Sequence, residues 1–357
     1  MAQIKGVTIA DVARAAGLSN GAVSFALRGD PRIPPATVER VRRVAERLGY
    51  RPDPRISSLM ASIRRAKPLD RRETLALVWA ETPRPLSRLP LNLRAFAETA
   101  LRGIVARAEQ LGCSVDQFWL GVDGMTPERL QKILVARGIS GIVVVPAVYL
   151  TKYIALDWDW RFFAGAIVCS TECTPPLDRS VPNHFRSVWT TLGRLRAEGR
   201  ARPAIILDRN VQERIHSIQL AAFLTNHPNP KAAAGYVGYG QPGKVSHLRA
   251  WLRKTAPDAL IVAWQLDRPA AGALRKMAPR PCRMVTLEWH PHGVLPGVDQ
   301  RLTEIAANAV DLVMAQLHRN ERGAPAHPVT MMLDGIWTEK GDGGGGMVTA
   351  KPDDPIF

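Results

Sequence analysis

A glycine-rich stretch near the middle of the second half of the chain has the residue types of a phosphate-binding loop. The stretch "GYGQPGK", Gly238–Lys244, follows an apolar run and precedes a helical pattern, and it fits the G-x-x-x-x-G-K part of such a loop. Val245 stands where the loop needs the hydroxyl that holds magnesium, and Pro242 removes one amide donor. We therefore interpret the stretch as an ordinary turn between a strand and a helix, not as a nucleotide-hydrolysing site.

A second stretch, "EWHPH" at Glu288–His292, contains side chains that can bind metal ions. A metal site needs three or four ligands, and no third partner occurs at helical spacing. The sequence therefore favours a loop with surface histidines, and we expect neither a metal nor another cofactor.

A third set of polar residues lies near the start of the chain and suits contact with base edges in DNA. Its members are small, hydrogen-bonding or aromatic: Ser19, Asn20, Gly21, Ser24, Phe25 and Arg28. They face outward if Val23, Ala26 and Leu27 form the inward stripe of a short helix. An asparagine side chain can form paired hydrogen bonds with adenine, and a phenylalanine can contact a thymine methyl group.

Two further helices are predicted around this one. Thr8 is a hydroxyl N-cap for a first helix, and Gly17 lies in the turn that follows it. A third helix starts near Pro35 and ends at Gly49. Apolar residues recur at helical spacing in both: Ile9, Val12, Ala13 and Ala16 in the first, and Val38, Val41, Ala45 and Leu48 in the third. Three such helices can share one core, and the first two form a helix-turn-helix with a recognition helix for the major groove.

The charge of the chain is concentrated in the same region. Residues 1–72 contain fifteen Lys or Arg against six Asp or Glu, a net +9 of the total +16. Such a concentration is typical of a module that binds the phosphates of nucleic acid. A solvated helical hairpin without DNA binding is the alternative.

The stretch from Thr8 to Leu27, with the helix that ends in "RLGYRPDPRISSLM", resembles the DNA-binding head and hinge of LacI/GalR-type transcriptional repressors. The resemblance implies a hinge helix after Pro52 that forms on DNA, with Leu59 as an apolar wedge in the minor groove. Leu59 is otherwise an ordinary linker residue, and Met60 can share the wedge role. The head departs from the family at Asn20, Gly21 and Phe25, so the base sequence that it reads stays open.

The rest of the chain predicts a large α/β domain. With 357 residues and 46% apolar content, the chain can hold two or three packed units. Eight apolar runs look like buried strands: "LALVWA", "SVDQFWL", "GIVVVPA", "FFAGAIVCS", "PAIILD", "GYVGY", "ALIVAW" and "RMVTLEW". Helical patterns between them include Leu93–Gln110, Pro127–Ala136, Val245–Lys254 and Leu302–Leu317. This alternation indicates parallel sheets covered on both faces, and eight strands favour two lobes.

This region also resembles the effector domain of the LacI/GalR family, which is built like a periplasmic sugar-binding protein. The matching segments are "ISGIVVVPA", "RPAIILD", "ER" at Glu213 and Arg214, "LDRPAAGAL" and "GVDQRLTEIAANAVDLVMAQL". The resemblance implies that Arg214 and Asp267 bind the hydroxyls of a sugar-like ligand, with Asn183 at a third, usually acidic, position. A structural salt bridge is the alternative role for Arg214 and Asp267.

Three tryptophans each end a predicted strand: Trp79, Trp264 and Trp289. Ligands of parallel α/β sheets bind at the carboxyl ends of strands, and an indole face packs well on a sugar ring. We therefore expect these residues in the ligand site, with plain core packing as the alternative.

The cysteines and the lengths of the apolar runs indicate the cellular compartment of the protein. Cys113, Cys169, Cys173 and Cys282 fit neither a zinc site nor a disulfide framework, so we expect reduced thiols. The sequence has no charged-then-apolar leader and no run of eighteen apolar residues. We therefore expect a cytoplasmic, nucleoid-associated protein.

The predicted organisation has four parts. Residues 1–52 form an all-α three-helix head, and residues 53–72 form the hinge helix and linker. A two-lobed, periplasmic-binding-protein-like α/β domain with parallel sheets follows at 73–339. The Gly- and Pro-rich end, 340–357, cannot build a core and is expected to be disordered.

The sequence favours a DNA-binding transcriptional regulator, a repressor controlled by a sugar-like effector, and not an enzyme. As a homodimer it would bind an inverted-repeat operator in double-stranded DNA, with no membrane partner. The alternative is a cytosolic carbohydrate-binding or carbohydrate-metabolising protein without specific DNA binding.

Overall fold

The computed structural model describes residues 9–27, 33–48, 73–80, 82, 85–89, 91–147, 153–241, 244–291 and 293–339. The chain divides into two compact units, Met1–Arg71 and Arg72–Phe357.

Several predicted features lie outside the described residues. They are the N-cap Thr8, the recognition-helix residue Arg28, the hinge 53–72 with its wedge Leu59, and the tail 340–357. These features stay predictions.

The first unit contains three short helices: α1 (Ile9–Ala16), α2 (Asn20–Leu27) and α3 (Pro35–Leu48). Each contributes one apolar stripe to a shared core. The buried members are Val12, Ala13, Ala16, Val23, Ala26, Val41, Val44 and Ala45. Neither α1 nor α2 exceeds eight residues, a length that is marginal for an isolated helix, so this packing stabilises both.

The turn between α1 and α2 is built by Gly17, whose φ of +63° suits glycine. Gly17 donates its N–H to the carbonyl of Arg14, and Leu18 donates to that of Ala13 at 3.0 Å. This pair of bonds is the Schellman pattern that ends a helix. Ser19 then caps α2, because its Oγ accepts the N–H of Ala22 at 3.2 Å.

The second unit contains two lobes, each a covered six-stranded sheet. Lobe one has the strand order β13-β7-β5-β3-β1-β2, all parallel. Its strands are β1 (Thr74–Ala80), β2 (Ser114–Leu120), β3 (Gly141–Pro146), β5 (Ala164–Val168), β7 (Asp178–Pro182) and β13 (Thr330–Leu333). The helices α4 (Leu91–Gln110) and α11 (Leu302–His318) pack on one face, and α5 (Pro127–Arg137) packs on the other.

Lobe two has the order β14-β12-β11-β10-β8-β9, in which only β14 runs antiparallel to its neighbour. Its strands are β8 (Pro203–Leu207), β9 (Val237–Tyr239), β10 (Ala259–Val262), β11 (Arg283–Thr286), β12 (Gly297–Asp299) and β14 (Ile336–Thr338). Its helices are α6 (His184–Ala197), α7 (Arg209–Arg214), α8 (Ile218–Asn226), α9 (Arg249–Thr255) and α10 (Arg268–Met277). A small separate sheet pairs β4 (Tyr153–Ala155) with β6 (Glu172–Thr174).

The chain passes between the lobes three times. It crosses after β7 into α6, after β12 into α11, and after β13 into β14. The first and third crossings lie side by side, because Asn183 donates its N–H to the carbonyl of Leu333 at 2.7 Å. All eight predicted apolar runs correspond to strands, and the two-lobed architecture is confirmed.

Strand β7, which has neighbours on both sides in the lobe-one sheet, was not predicted. Its sequence, "DRSVP", starts with an aspartate and therefore lacks the apolar run typical of a buried strand. Asp178 is nevertheless buried, because its carboxylate accepts hydrogen bonds from Gln316 Nε2 and from the N–H of Val329, both at 2.8 Å. A buried carboxylate with two donors is tolerated where an unpaired one would be costly.

Candidate functional site

The exposed face of α2 lies at the surface of the first unit. Ser19, Asn20 and Gly21 are exposed, and Ser24 and Phe25 are half-buried. Val23 and Ala26 point the other way and have no exposed surface. The helix therefore presents small and polar groups outward while its apolar side is fixed in the core.

A cavity of about 250 Å³ lies in the second unit, and both lobes line it. Lobe one contributes α4 and the loop after β5, and lobe two contributes the end of α7 and the loops after β10, β11 and β12. These loops follow the carboxyl ends of parallel strands, which is where α/β sheets place their ligands.

Opposite charges line the lobe-two side of the cavity. Arg214 is the last residue of α7, and Glu288 follows the end of β11 by two residues. Burial raises the pKa of the Cys169 thiol to about 12; the positive charge of Arg214 opposes this shift and the negative charge of Glu288 adds to it. Both charges thus act on one buried atom. A guanidinium and a carboxylate at one site offer donors and acceptors together, as a polyhydroxylated ligand requires.

The first residue of α6, His184, also lines the cavity. Burial, together with the positive charge of Arg214, lowers the pKa of His184 to about 4. The imidazole is therefore neutral at pH 7, and it adds hydrogen-bonding capacity to the cavity without adding charge.

The floor of the cavity is the turn between β12 and α11. Asp299 accepts the N–H of Arg301 at 2.8 Å, and Arg301 has a φ of +59° at the start of α11. Burial raises the pKa of the Asp299 carboxyl. The backbone N–H of Trp289 donates to the carbonyl of Val298, in the same strand β12, at 2.8 Å. The floor is therefore held by the side chain of Asp299, and the backbone of Trp289 is held by β12.

The structure brings together two of the six residues predicted for the ligand site, Arg214 and Trp289. Trp79 has no exposed surface and donates Nε1–H to Gln117 Oε1 at 3.0 Å. Trp264 is 1% exposed in the core of lobe two. For these two tryptophans, the geometry favours the core-packing alternative.

The remaining two predicted residues cap helices. Asn183 caps α6 by accepting the N–H of Arg186 at 3.0 Å, and its Nδ2 donates to Asp334. Asp267 is exposed and caps α10 by accepting the N–H of Ala270 at 2.8 Å. Neither residue lines the cavity, whereas the carboxylate-bearing Glu288 does.

Glu288, His184 and Asp299 line the cavity but were not predicted for the ligand site. Glu288 stood in the stretch considered for metal binding, and its position beside Trp289 at the end of the predicted strand "RMVTLEW" was the signal that could have assigned it. His184 and Asp299 adjoin strands that the sequence did not reveal, so no comparable signal existed for them.

The depressed pKa of His184 predicts a contribution to acid sensitivity. Between about pH 6.5 and 4, the unfolded chain binds a proton at His184 that the folded chain does not, so the free energy of unfolding falls as the pH falls through this window. The loss is at most about 3 kcal/mol. Urea unfolding at pH 7 and pH 4 should show a smaller acid loss for His184→Gln than for the parent. Equal losses in the two proteins would contradict this assignment.

Among the described residues, no cluster of three or more His, Cys, Asp or Glu side chains is placed to hold a metal ion, and the four cysteines are free thiols. None of the helices in the described ranges is both long and apolar enough to span a membrane.

Comparison with known proteins finds a family match for the first unit and a fold likeness for most of the chain. Residues 8–53 match the family model described as bacterial regulatory proteins, lacI family. The HTH-type transcriptional regulator CelR of Thermobifida fusca is 32% identical over 146 residues, which are 39% of this chain and 36% of CelR. Catabolite control protein A of Priestia megaterium is 49% identical over 47 residues, 13% of this chain and 14% of that protein. The matches thus span about a third or less of these curated relatives' length.

The fold likeness extends much further along the chain. The solved structure of a transcriptional regulator CelR–cellobiose complex aligns with 93% of this chain and 98% of its own, with a TM-score of 0.50 and 19% identity. Residues 8–53 thus match the lacI family of bacterial regulatory proteins, and the described fold resembles that of CelR.

Proposed function

We propose that this chain is a sequence-specific transcriptional regulator, a repressor, whose DNA binding is controlled by a small sugar-like ligand in the cavity. One observation carries the proposal: a helix-turn-helix unit shares its chain with an interlobe cavity that presents Arg214 and Glu288 together. A ligand that contacts both lobes can favour one arrangement of the lobes over another, and only such differential binding can control DNA affinity.

The proposed ligand site contains Arg214, Glu288, His184, Asp299 and Trp289, all of which line the cavity. Its mixture of donors, acceptors and an aromatic face fits a carbohydrate better than a purely apolar molecule. Cellobiose is present in the solved complex of the relative CelR and is the natural first probe. We propose no catalytic role; the curated relatives are named as a transcriptional regulator and a catabolite control protein.

The decisive experiment selects bound fragments from random duplex DNA, with and without a panel of cellobiose, lactose, maltose and glucose. We expect enrichment of an inverted-repeat sequence and a change in binding with at least one sugar. Sugar binding without enrichment of any sequence would instead support a carbohydrate-binding or carbohydrate-metabolising protein. Enrichment that no sugar changes would contradict the proposed control.

Phe25→Ala is expected to relax the base preference at one symmetric pair of operator positions, because Phe25 offers an apolar contact to a thymine methyl group and no charge to a phosphate. The dependence of affinity on salt should stay nearly unchanged, since that slope reports phosphate contacts. Competition binding with operator variants at several salt concentrations measures both. Phe162→Ala, at an exposed position of the second unit, is the matched control. Unchanged preference at every position would exclude Phe25 from base contact.

The protein is expected to be a homodimer, since an inverted repeat is read by a twofold assembly. The sequence after Glu339 is rich in Gly and Pro and has no heptad pattern for a tetramer-forming coiled coil. Sedimentation at micromolar concentration should give twice the chain mass of 39.2 kDa. A mass near four chains would contradict the prediction.

A further inference from the structure

A chain of buried glutamines leads from the backbone of α8 to the cavity. Gln212 on α7 is 4% exposed, and Gln219 on α8 is 1% exposed. Gln212 Nε2 donates to Gln219 Oε1 at 2.7 Å, and Gln219 Nε2 lies 3.5 Å from Nδ1 of His184. Neither glutamine lines the cavity, whereas His184 does.

The hydrogen bond from Leu220 to Gln212 determines the donor and the acceptor in each of the other hydrogen bonds of this glutamine chain. The N–H of Leu220 can only donate, and it donates to Gln212 Oε1 at 3.3 Å. The amide nitrogen of Gln212 must then face Gln219 Oε1, which turns the amide nitrogen of Gln219 toward His184. Because an amide N–H₂ is a donor, Nδ1 of His184 must accept, and the single ring proton is placed on Nε2.

No hydrogen bond within the described part of the chain involves Nε2 of His184. The burial of the ring and the charge of Arg214 disfavour a second proton, consistent with a pKa of about 4. A cationic imidazole would also carry a proton on Nδ1. This N–H would point at the N–H₂ group of Gln219, so that two donors would face each other. The glutamine chain and the electrostatics therefore both favour one state, the neutral ring with its proton on Nε2.

We propose that Gln212 and Gln219 are positioning residues that keep Nδ1 of His184 as an acceptor, so that His184 donates to the ligand only through Nε2–H. The ligand then carries an acceptor oxygen opposite Nε2. The proposal rests on the proposed function, because it takes the cavity as the ligand site. It assigns His184 a role in specificity: a ligand with an oxygen at this position is bound, and an analogue with an amine or a deoxygenated carbon there is disfavoured.

The first test needs no ligand. Imidazole nitrogen spectra are recorded on the ¹⁵N-histidine-labelled full chain, and the His184 signals are identified by their absence in His184→Gln. We expect Nδ1 of His184 to be unprotonated from pH 8 to 5.5. Gln219→Glu places an acceptor opposite Nδ1 and should move the ring proton there. Gln117→Glu is the matched control, because Gln117 is exposed in lobe one and keeps its acceptor for Trp79. A protonated Nδ1 in the parent, or no change in Gln219→Glu, would overturn the proposal.

The second test is calorimetric titration with cellobiose, lactose, maltose and glucose. His184→Phe and Gln219→Glu should each weaken the binding of the sugar that the parent binds by roughly tenfold, the loss expected for one hydrogen bond. His184→Gln retains a donor and should stay within about threefold of the parent, as should Gln117→Glu. Parent-like affinity of His184→Phe would overturn the ligand contact. A parent that binds none of the four sugars would contradict the proposed function and the contact together, while the spectra still decide the ring orientation.

Discussion

Arg214→Ala is expected to abolish the response of DNA binding to the ligand and to weaken ligand affinity by about 2–3 kcal/mol, as when a charged hydrogen-bond partner is removed. Arg214 supplies positive charge at the cavity, and its loss leaves ligand oxygens unpaired. DNA affinity without ligand should be retained, because the head is a separate unit. Calorimetric titration with the sugar measures ligand affinity. DNA-binding assays without and with the sugar measure the basal DNA affinity and its response to the ligand.

Two control variants make the Arg214 result specific. Arg209→Ala removes the same kind of side chain from the same helix, at an exposed position where Arg209 lies over the ring of Tyr239. Asp267→Ala should cost about 1 kcal/mol of stability through the lost cap of α10 while ligand affinity is retained. If Asp267→Ala impaired ligand binding and Arg214→Ala did not, the ligand would bind outside this cavity.

Gly297→Ala is expected to destabilise the second unit by about 3 kcal/mol, at the upper end of the usual cost of overpacking. A Cβ at Gly297 would lie 2.0 Å from the carbonyl oxygen of Thr286, which is backbone of the neighbouring strand β11 and cannot rotate away. Strand β12 would have to move, and with it Asp299 in the floor of the cavity. Ligand affinity should therefore fall together with the urea midpoint.

Gly272→Ala is the matched control for this substitution. Gly272 lies inside α10, and a Cβ there meets no atom within 4 Å. Because alanine favours helix more than glycine does, the variant should gain about 0.5–1 kcal/mol. Equal stability of Gly297→Ala and the parent would show that β11 and β12 are not held as closely as described.

The sequence predicted those features that depend on short-range periodicity. Val23 and Ala26 are both fully buried, as the helical spacing required, and β1 is an unbroken apolar run because both of its faces are covered. The same reasoning failed for β7, whose buried Asp178 obtains its donors from residues about 140 and 150 positions away. Such long-range compensation leaves no local pattern.

The lining of the cavity was predicted in part, for a reason of geometry. Glu288 follows its strand by two residues and lies at the cavity, whereas Asp267 follows β10 by five and is held by the helix that it caps. Trp79 is the penultimate residue of β1, but its side chain is buried in the core of lobe one. Whether a residue lines the cavity depends on its distance from the strand end and on the direction of its side chain. Residue type alone determines neither the distance nor the direction.

The three crossings between the lobes also constrain the order in which the protein can fold during synthesis. Lobe one begins at β1, yet α11, which covers its sheet with fully buried side chains such as Ile305, Val310 and Val313, is translated more than 200 residues later. The edge strand β13 emerges later still. Until then, the apolar face of the lobe-one sheet has no cover from α11, a state prone to aggregation. The ribosome-bound chain can complete lobe one only after β13 has emerged, whereas the three head helices lie together within residues 9–48 and need no later segment.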